Sequence, residues 1–426
     1  MRVKLAYGKE GLWVDLPDHN VTIVEPQYVP GLPDEAEAIR AALRSPIGSE
    51  PLRELVRATD TVAIVFSDVT RPQPRDRMLP PLLDELAHVP PDQVILINGL
   101  GTHRPNTQDE LVSMLGRDIV SRYRVIQHNP LDDDQMLRVG RTSFGHDAYV
   151  NAEYLRANVR ILTGFIEPHF FAGFSGGPKA VLPGIANQQL ILANHNAEMV
   201  EAPQATWGIT KGNPIWEEML EVALMTRPTF LLNVSLNRDK QITGVFAGDM
   251  QEAHAKGTSF VGSTAMVAVA EPFDIVITSN SGFPLDLNVY QAVKGMSAAA
   301  QVVKPGGSII VAAECWDGIP AHGEYGQLLR MAESPEELLA MVKTWTTVRQ
   351  DQWQVQIQAQ IQMRADVYLK NSHLDDRTVR AAKLEPCRHI EETLEKLLQR
   401  YGPNATICVL PEGPMTIPYL AETRGQ

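Results

Sequence analysis

The 426-residue sequence is poor in cysteine, in net positive charge and in long apolar runs. Its three cysteines, Cys315, Cys387 and Cys408, are far apart and form no CxxC pair, which argues against a disulfide framework and against a thiolate zinc site. The net charge of −13 argues against nucleic acid and anionic membranes as partners. No stretch reaches the ~18 uninterrupted apolar residues of a membrane span, and the first residues lack the apolar segment typical of a signal peptide. We therefore expect a cytoplasmic protein.

The residues that are present describe an α/β protein. Five short apolar runs, rich in β-branched residues, are each followed by a polar, glycine-containing segment: 61–66, 94–99, 159–164, 273–279 and 307–313. Such runs are typical of buried parallel strands, and helical patterns such as 106–116 separate them. The sequence therefore predicts Rossmann-like parallel-sheet units with helices, in which ligands bind at the carboxyl ends of the strands.

The length predicts two domains. We place an N-terminal α/β domain at 1–265 and a C-terminal α/β domain at 270–404, with residues 405–426 as a candidate to pack back on the N-terminal domain. The segment 351–363 alternates glutamine with apolar residues, which is the period of a strand. Its length and its Gln, Ala and Met content favour a helix, and a helix is our prediction.

The segment GFSGGPKA, residues 173–180, is a candidate binding loop. Ser175, Gly176 and Gly177 allow backbone N–H groups to approach an anion closely, and Lys179 adds a positive charge. The loop is not that of a nucleoside triphosphatase, because the Ser or Thr that must follow the lysine is an alanine. A tight turn between two elements is the structural alternative.

Three of the eleven histidines have a distinctive setting. His103 and His169 each follow a predicted strand, and His195 lies 16 residues after Lys179. An imidazole can act as an acid or base near neutral pH and can bind a metal, so a three-histidine zinc site is one interpretation. The spacing matches no compact zinc motif and does not decide between these uses.

Two further segments carry charged groups. Asp68 and Arg71 follow the first of the five strands, and an arginine can hold a planar carboxylate through two hydrogen bonds; a surface ion pair between the two is the structural alternative. Tyr290 and Lys294 are four residues apart and share one face of a predicted helix, with Gln291 beside them. An ordinary amphipathic helix is the alternative there. Basic groups clustered in an acidic chain indicate a small anionic ligand.

Taken together, these segments resemble the nickel-dependent lactate racemase family. The resemblance is carried, in order, by SDVTRP, GTHRP, GFIEPHFFAGFSGGPKAVLPGI, the following His195, and YQAVKG. The long block is the most specific, because His169, Lys179 and His195 are spaced by 10 and 16 residues. The resemblance implies two domains with the active site in the cleft between them.

The resemblance also implies a cofactor, a nickel pincer nucleotide (pyridinium-3-thioamide-5-thiocarboxylic acid mononucleotide) joined covalently to Lys179. His195 would complete the square-planar nickel beside two sulfurs and a ring carbon, a geometry that suits Ni(II). His103 and His169 would be the acid/base pair. The other candidates are cofactor-binding Asp68, Ser175, Gly176, Gly177 and Gln291, and substrate-binding Arg71, Tyr290 and Lys294, of which Arg71 and Lys294 also count as catalytic.

The implied reaction is the racemisation or epimerisation of a small anionic 2-hydroxy acid, lactate or a related acid. Hydride leaves the α carbon while one histidine takes the hydroxyl proton, and hydride returns to the other face of the transient 2-keto acid. Enzymes that synthesise the cofactor are the expected cellular partners. Three alternatives stay open: a three-histidine metal hydrolase, a pyridoxal phosphate enzyme with a Schiff base on Lys179, and a non-catalytic carrier of the nickel nucleotide.

Overall fold

The computed structural model describes residues 1–320 and 323–421. The strands, in chain order, are β1 (Arg2–Leu5), β2 (Leu12–Asp15), β3 (Val21–Ile23), β4 (Val62–Ser67), β5 (Val94–Gly99), β6 (Arg124–Gln127), β7 (Met136–Arg141), β8 (Asp147–Asn151), β9 (Val159–Phe165), β10 (Pro168–His169), β11 (Gly173–Phe174), β12 (Phe230–Leu236), β13 (Ile242–Gly248), β14 (Met266–Val269), β15 (Phe273–Ser279), β16 (Val303–Ala312), β17 (Ala365–Lys370), β18 (Glu385–Cys387), β19 (Ile407–Leu410) and β20 (Ile417–Leu420). The α-helices are α1 (Glu35–Arg44), α2 (Leu52–Leu55), α3 (Arg75–Glu85), α4 (Gln108–Leu115), α5 (Arg117–Arg122), α6 (Ala152–Arg156), α7 (Gln188–Asn194), α8 (Ala197–Glu201), α9 (Pro214–Met225), α10 (Met250–Ala265), α11 (Val289–Ala300), α12 (Tyr325–Leu329), α13 (Pro335–Thr344), α14 (Gln352–Gln362), α15 (Asp376–Ala381) and α16 (Ile390–Tyr401).

The described chain divides into two compact units. The mixed-sheet unit comprises Tyr28–Asn194 and Pro203–Ser263, and the parallel-sheet unit comprises Met1–Gln27, His195–Ala202 and the chain from Thr264 onward. This division differs from the sequence-based one at the N-terminus, where the first 27 residues belong with the C-terminal sheet. It differs also at residues 195–202. They belong to the parallel-sheet unit, although the chain before and after them belongs to the mixed-sheet unit.

The mixed-sheet unit is built on six strands in the order β13-β12-β9-β4-β5-β6. All neighbours from β12 to β6 pair in parallel, and β13 is antiparallel to β12. On the central strand β4, Ile64 and Phe66 pack with helices α1 and α3 in one apolar core, and Ala63 and Val65 on its other face are also buried. The predicted strands at 61–66, 94–99 and 159–164 are thus confirmed as three adjacent parallel strands, with their carboxyl ends at one edge of the sheet.

The parallel-sheet unit has six strands in the order β18-β17-β16-β15-β19-β3, all parallel. Here too the predicted strands at 273–279 and 307–313 are confirmed. The expectation that the C-terminal segment packs on the N-terminal domain holds only for residues 1–27, because β19 pairs with β3 from Val21↔Ile407 onward. On its other side β19 pairs with β15 from Ile275↔Ile407 onward, and it is buried along its whole length. Residues 422–426 of that expectation lie outside the described residues.

The glutamine-rich segment forms the helix α14, as predicted. Four of its glutamines are buried among its apolar residues: Gln352, Gln354, Gln356 and Gln358. Their amides donate to backbone carbonyls of neighbouring segments, Gln356 to Ala197 O at 2.8 Å and Gln358 to Ala382 O at 2.8 Å. Glutamine here serves as a core residue with a satisfied donor, which is why its alternation with apolar residues does not mark a strand.

Two local features bear on the sequence analysis. In the predicted helical segment 106–116, Thr107 and Glu110 form a capping box at the start of α4, since each side chain accepts a hydrogen bond from the other's backbone N–H. Across residues 1–320 and 323–421, none of the helices combines the length and the apolar character that a bilayer span requires.

Candidate active site

The first group of candidate residues lies in the loops after β4 and β5, which are neighbours in the mixed sheet. Asp68 directly follows β4 and is 2 % exposed. Nδ1 of His103, in the loop after β5, lies 2.5 Å from Oδ2 of Asp68, and the hydroxyl of Thr70 donates to Oδ1 at 2.8 Å. Both carboxylate oxygens of Asp68 are therefore engaged within these two loops, one of them by a predicted catalytic histidine.

The negative charge of Asp68 is stabilised despite its burial. Burial by itself raises the pKa of the carboxyl group, but the His103 ring, the Arg71 guanidinium and the Thr70 hydroxyl together hold the pKa of Asp68 well below its usual range. An ionised carboxylate beside Nδ1 keeps a proton on that nitrogen, so Nε2 becomes the nitrogen that exchanges a proton with a ligand. His103, whose side chain is 37 % exposed, thus has the arrangement of a general base.

Arg71 lies in the same loop. Its backbone N–H donates to the carbonyl of Asp68 at 3.2 Å, and its side chain is partly exposed. The described residues form no ion pair between the two side chains, because the Asp68 oxygens are taken by His103 and Thr70. The surface ion pair considered from the sequence is therefore not formed, and the Arg71 guanidinium can be directed to a ligand.

His169 lies in a short hairpin after β9, in which β10 pairs with β11. The backbone N–H of Ala172 donates to its Nδ1 at 3.3 Å. The centres of the Phe170 and Phe171 rings are 4.9 and 4.5 Å from the centre of the His169 ring. A backbone amide and two aromatic rings thus hold this imidazole in place.

Lys179 follows in a short 3-10 turn, Gly177–Ala180. It is half-buried, and its Nζ is 5.7 Å from the centre of the Phe171 ring. Because that ring also contacts His169, the fold brings the predicted anchor and one predicted base to the same aromatic side chain. The loop therefore joins two of the candidates that the sequence placed ten residues apart.

The hydroxyl of Ser175 is used within this loop. It donates to the carbonyl of Phe165 at 2.9 Å and accepts the backbone N–H of Glu167 at 2.9 Å. Ser175 thereby ties the end of β9 to the returning hairpin strand. A contact of Ser175 with a cofactor remains a prediction, whereas its hydrogen bonds in the structure fix the shape of the loop.

The two glycines of the loop fit against side chains from β12 and α10. Gly176 and Gly177 have φ of 76° and 53°, and a Cβ on them would come within 2.5 Å of Asn233 Oδ1 and of the His254 ring. The backbone N–H of Gly177 donates to Asn233 Oδ1 at 2.8 Å. The glycines are thus required by the packing beneath the loop, whatever the loop binds.

Asn233 and His254 were not singled out by the sequence analysis. Nε2 of His254 donates to the carbonyl of Ser175 at 2.9 Å, its ring stacks on Trp216, and burial lowers the pKa of His254 to about 4. Asn233 interrupts the apolar strand β12. A polar residue in a buried strand was the one feature of the sequence that could have identified it. His254 had none, because its contacts arise only from the tertiary fold.

The second group of candidates lies in the parallel-sheet unit. His195 is 5 % exposed, and its ring centre is 5.1 Å from that of Trp353. Nε1 of Trp353 donates to the hydroxyl of Tyr290 at 3.2 Å, and Gln356 binds the backbone of Ala197, next to the histidine segment. Helix α14 thus connects the predicted nickel ligand with a predicted substrate residue. Trp353 was missed, because in the sequence it is one apolar position of an alternating run.

Tyr290, Gln291 and Lys294 lie on helix α11, as the sequence predicts. The helix begins at Asn288, whose side chain accepts the backbone N–H of Gln291 at 3.0 Å. The three side chains are half-buried, and the four-residue spacing puts Tyr290 and Lys294 on one face. Their roles toward a cofactor or substrate stay predictions.

The segment 314–326 follows β16 in the parallel-sheet unit. Its Cys315 is buried, and burial raises the pKa of that thiol to about 12, so the thiol is an inert one. Trp316 beside it is 47 % exposed. Ala321 and His322 of this loop lie outside the described residues.

Over residues 1–320 and 323–421, no three His, Cys, Asp or Glu side chains come together as a group that could hold a metal ion. A hydrolase of the three-histidine type needs such a group. A metal that is held by one protein ligand and by donors of a bound cofactor does not.

Two family models match the chain. The one described as "Lactate racemase N-terminal domain" matches residues 7–208, and the one described as "Lactate racemase C-terminal domain" matches residues 267–417. Together they span both sets of candidate residues.

Curated relatives and solved structures agree with these matches. A lactate racemase of Lactiplantibacillus plantarum is 37% identical over 96% of this chain and 98% of its own length, and one of Thermoanaerobacterium thermosaccharolyticum is 35% identical over 97% and 98%. The solved lactate racemase apoprotein from T. thermosaccharolyticum superposes with a TM-score of 0.92 at 34% identity, covering 98% of this chain and 100% of that one. A Thermotoga maritima protein at 18% identity, with a TM-score of 0.70 over 92% and 100%, shares the fold.

Proposed function

Because the chain belongs to the lactate racemase family, we propose that it interconverts the two configurations of a small 2-hydroxy acid, with a nickel pincer nucleotide held at Lys179 and His195. The single observation that carries the chemical part of this proposal is the contact of 2.5 Å between Nδ1 of His103 and the buried carboxylate of Asp68. A carboxylate that orients an imidazole beside an available arginine is suited to removing a proton from a substrate that is itself an anion.

The residues present fit the proposed cofactor. His195 is buried against Trp353, and a neutral imidazole is a usual ligand for nickel. Lys179 lies in a turn whose glycines can come close to Asn233 and His254 only because they lack a Cβ, so the turn has one well-defined course. When bound, the cofactor would supply a hydride acceptor for the α carbon of the substrate.

The remaining chemistry is assigned to side chains of this chain. Nε2 of His103 takes the hydroxyl proton of one enantiomer, and Asp68 stabilises the imidazolium that results. His169 serves the other enantiomer, whose hydroxyl points in a different direction. Each such base contributes about 10²–10⁴-fold to the rate.

Binding of the substrate carboxylate is assigned to Arg71, with Lys294 as a second positive group. Tyr290, on the same helix face as Lys294, is assigned to the substrate as well. The guanidinium can bind a planar carboxylate through two hydrogen bonds, which an ammonium group cannot. Lactate is the substrate that the relatives' name indicates, and related 2-hydroxycarboxylates are the class to test. Cofactor-synthesis enzymes as partners and a cytoplasmic location stay predictions of the sequence.

The proposal is tested on full-length protein coexpressed with cofactor-synthesis enzymes. We expect a covalent adduct by intact mass, nickel in the metal analysis, and interconversion of single-enantiomer 2-hydroxy acids by chiral chromatography. The Lys179→Ala variant should lose the adduct, whereas Lys211→Ala, at an exposed lysine of the same unit, should keep it.

Each alternative has its own result in this experiment. Zinc without organic sulfur would support a metal hydrolase, and a Schiff base trapped by borohydride would support pyridoxal phosphate. A loaded protein that leaves every acid of the panel unchanged would be a carrier. An adduct that persists in Lys179→Ala would exclude this lysine as the anchor.

A further inference from the structure

We infer that Arg75 is a positioning residue of this site: its buried guanidinium fixes the loop that carries Asp68 and Arg71, and through Asp68 it sets the orientation of the His103 ring. The inference deepens the proposed function and rests on it, since it treats His103 as a base. Nothing in the sequence pattern set Arg75 apart from the other arginines.

The guanidinium of Arg75 donates to four backbone carbonyls along this loop. Arg75 is the first residue of α3 and is 5 % exposed. Its Nε donates to Ser67 O at 2.6 Å, its Nη1 to Gln73 O at 3.0 Å and its Nη2 to Arg71 O at 3.0 Å. Nη2 also donates to the carbonyl of Asp68. One rigid, planar group therefore gathers the carbonyls at the start, middle and end of the loop.

The charge of Arg75 is buried beneath the loop. Burial lowers the pKa of Arg75 to about 10, so the site places a cation where its charged form is disfavoured. Its hydrogen bonds go to neutral carbonyls of a functional loop. Arg77, two residues along the same helix, instead binds both oxygens of Glu35 at 2.8 and 2.7 Å, and it is a natural control.

A second side chain holds the ends of the loop from the sheet side. Oε1 of Gln73 accepts the backbone N–H of Ser67 at 2.9 Å, and its Nε2 donates to the hydroxyl of Thr163 on β9 at 2.8 Å. Gln73 thus closes the loop onto the neighbouring strand. It makes no contact of this kind with Asp68 or Arg71. Between the loop ends, Arg75 holds the carbonyls of Asp68 and Arg71, beside the turn bond from the Arg71 N–H to the Asp68 carbonyl.

The consequence for the reaction follows from geometry. The Asp68 carboxylate contacts His103 at 2.5 Å, and a displacement of the carbonyl beneath it moves both the carboxylate and the ring. A misplacement of about 1 Å in a catalytic group can cost about 100-fold in rate. Loss of the Arg75 contacts should therefore lower catalysis through Asp68, without removing any group that touches the substrate.

A double-mutant cycle on the loaded, full-length enzyme tests this inference. We expect Arg75→Gln to lower kcat/KM per loaded site about 100-fold, and Arg77→Gln to change it by no more than about twofold. In an Asp68→Asn background, Arg75→Gln should cost clearly less than in the wild type, because only the displacement of Arg71 then remains. Equal losses in both backgrounds would show that Arg75 acts independently of Asp68 and would overturn the inference.

Hydrogen exchange measured by mass spectrometry provides a readout that needs no activity. In the cofactor-free full-length protein, peptides that cover 67–75 should exchange faster in Arg75→Gln and unchanged in Arg77→Gln. Arg75→Lys retains the charge but not the planar fork, so it should give an intermediate rate, and it replaces the glutamine variant where that does not fold. Unchanged exchange in both Arg75 variants would overturn the inference. A loaded wild type that racemises nothing would refute the proposed function instead, and the exchange rates would still decide the role of Arg75.

Discussion

The two proposed bases, His103 and His169, are held in opposite ways although both follow parallel strands of one sheet. Nδ1 of His103 lies against the ionised carboxylate of Asp68, whereas Nδ1 of His169 accepts the backbone N–H of Ala172. These contacts assign different neutral tautomers to the two rings. His103 carries its proton on Nδ1 and presents a lone pair at Nε2, and His169 carries its proton on Nε2.

The difference shows how a pair of identical side chains can be prepared for opposite tasks. In its neutral form His103 can accept a proton at Nε2, whereas His169 can return one only from its imidazolium form. A racemase needs both steps in one turnover, since one ring takes the hydroxyl proton when the 2-keto acid forms and the other returns a proton when the hydroxyl forms again. The contacts at Nδ1 therefore prepare the two rings differently before any substrate binds.

Removing either imidazole should have the largest effect. His103→Gln and His169→Gln should each lower racemisation about 10³-fold in both directions, because each turnover uses both rings. In a single turnover of loaded enzyme, each variant should still form the 2-keto acid from one enantiomer, and the two variants from opposite enantiomers. Chiral chromatography and keto-acid detection measure both results.

The matched control for these variants is His373→Gln, at an exposed histidine of the parallel-sheet unit, which should behave as the wild type. If both site variants oxidised the same enantiomer, the assignment of one base to each hydroxyl direction would fail. If both stayed fully active, the two-base mechanism itself would be wrong.

Replacing the carboxylate should have the next largest effect. In Asp68→Asn the amide can donate to Nδ1, which would give His103 the tautomer that His169 has. In a single turnover of loaded enzyme, we expect the 2-keto acid to form about 100-fold more slowly from the enantiomer that His103 serves, with a much smaller change for the other. Asp76→Asn, at an exposed carboxylate on α3, is the control, and an equal loss for both enantiomers would contradict the comparison.

The sequence predicted the parts of the site that depend on local pattern. Apolar runs bounded by polar, glycine-containing segments identified the strands β4, β5 and β9, and the side chains at their carboxyl ends include Asp68 and His103. The spacing of Asp68 and His103 in the sequence did not predict their contact, because 35 residues and a helix separate them. The pairing became visible only when the order of the strands was known.

The supporting residues could not be predicted, for a physical reason. Arg75, Asn233 and His254 act on backbone atoms or glycine Cα atoms of other segments, and such partners leave no mark in the sequence. Trp353 lies in an alternating run that fits a strand as well as a helix. The sequence also did not predict which sheet the two ends of the chain join, because strand β19 is as apolar as any strand of either sheet.

Phe171 offers a smaller test on the His169 side. Its ring contacts both the His169 ring and Nζ of Lys179, so Phe171→Leu should release both side chains slightly. In a single turnover of loaded enzyme, we expect the 2-keto acid to form about tenfold more slowly from the enantiomer that His169 serves, with an unchanged adduct mass. Phe170→Leu, whose ring contacts His169 and Trp207, is the control, and equal effects of the two variants would remove any special role of the shared ring.

The smallest expected effect concerns the stability of the fold at acid pH, to which Asp68 beside His103 should contribute. The folded-state pKa of Asp68 is lowered, so the unfolded chain takes up a proton at a higher pH, about 3.9, than the folded one does. The resulting stabilisation is complete above that value and is lost as the pH falls below it. The urea midpoint of the wild type should therefore fall more steeply than that of Asp68→Asn between pH 5 and pH 3, and Thr70→Val, which removes one of the lowering groups, should lie between them. Parallel curves would mean that the Asp68–His103 contact adds nothing to the folded state, and the contrast between the two histidines would then rest on tautomers alone.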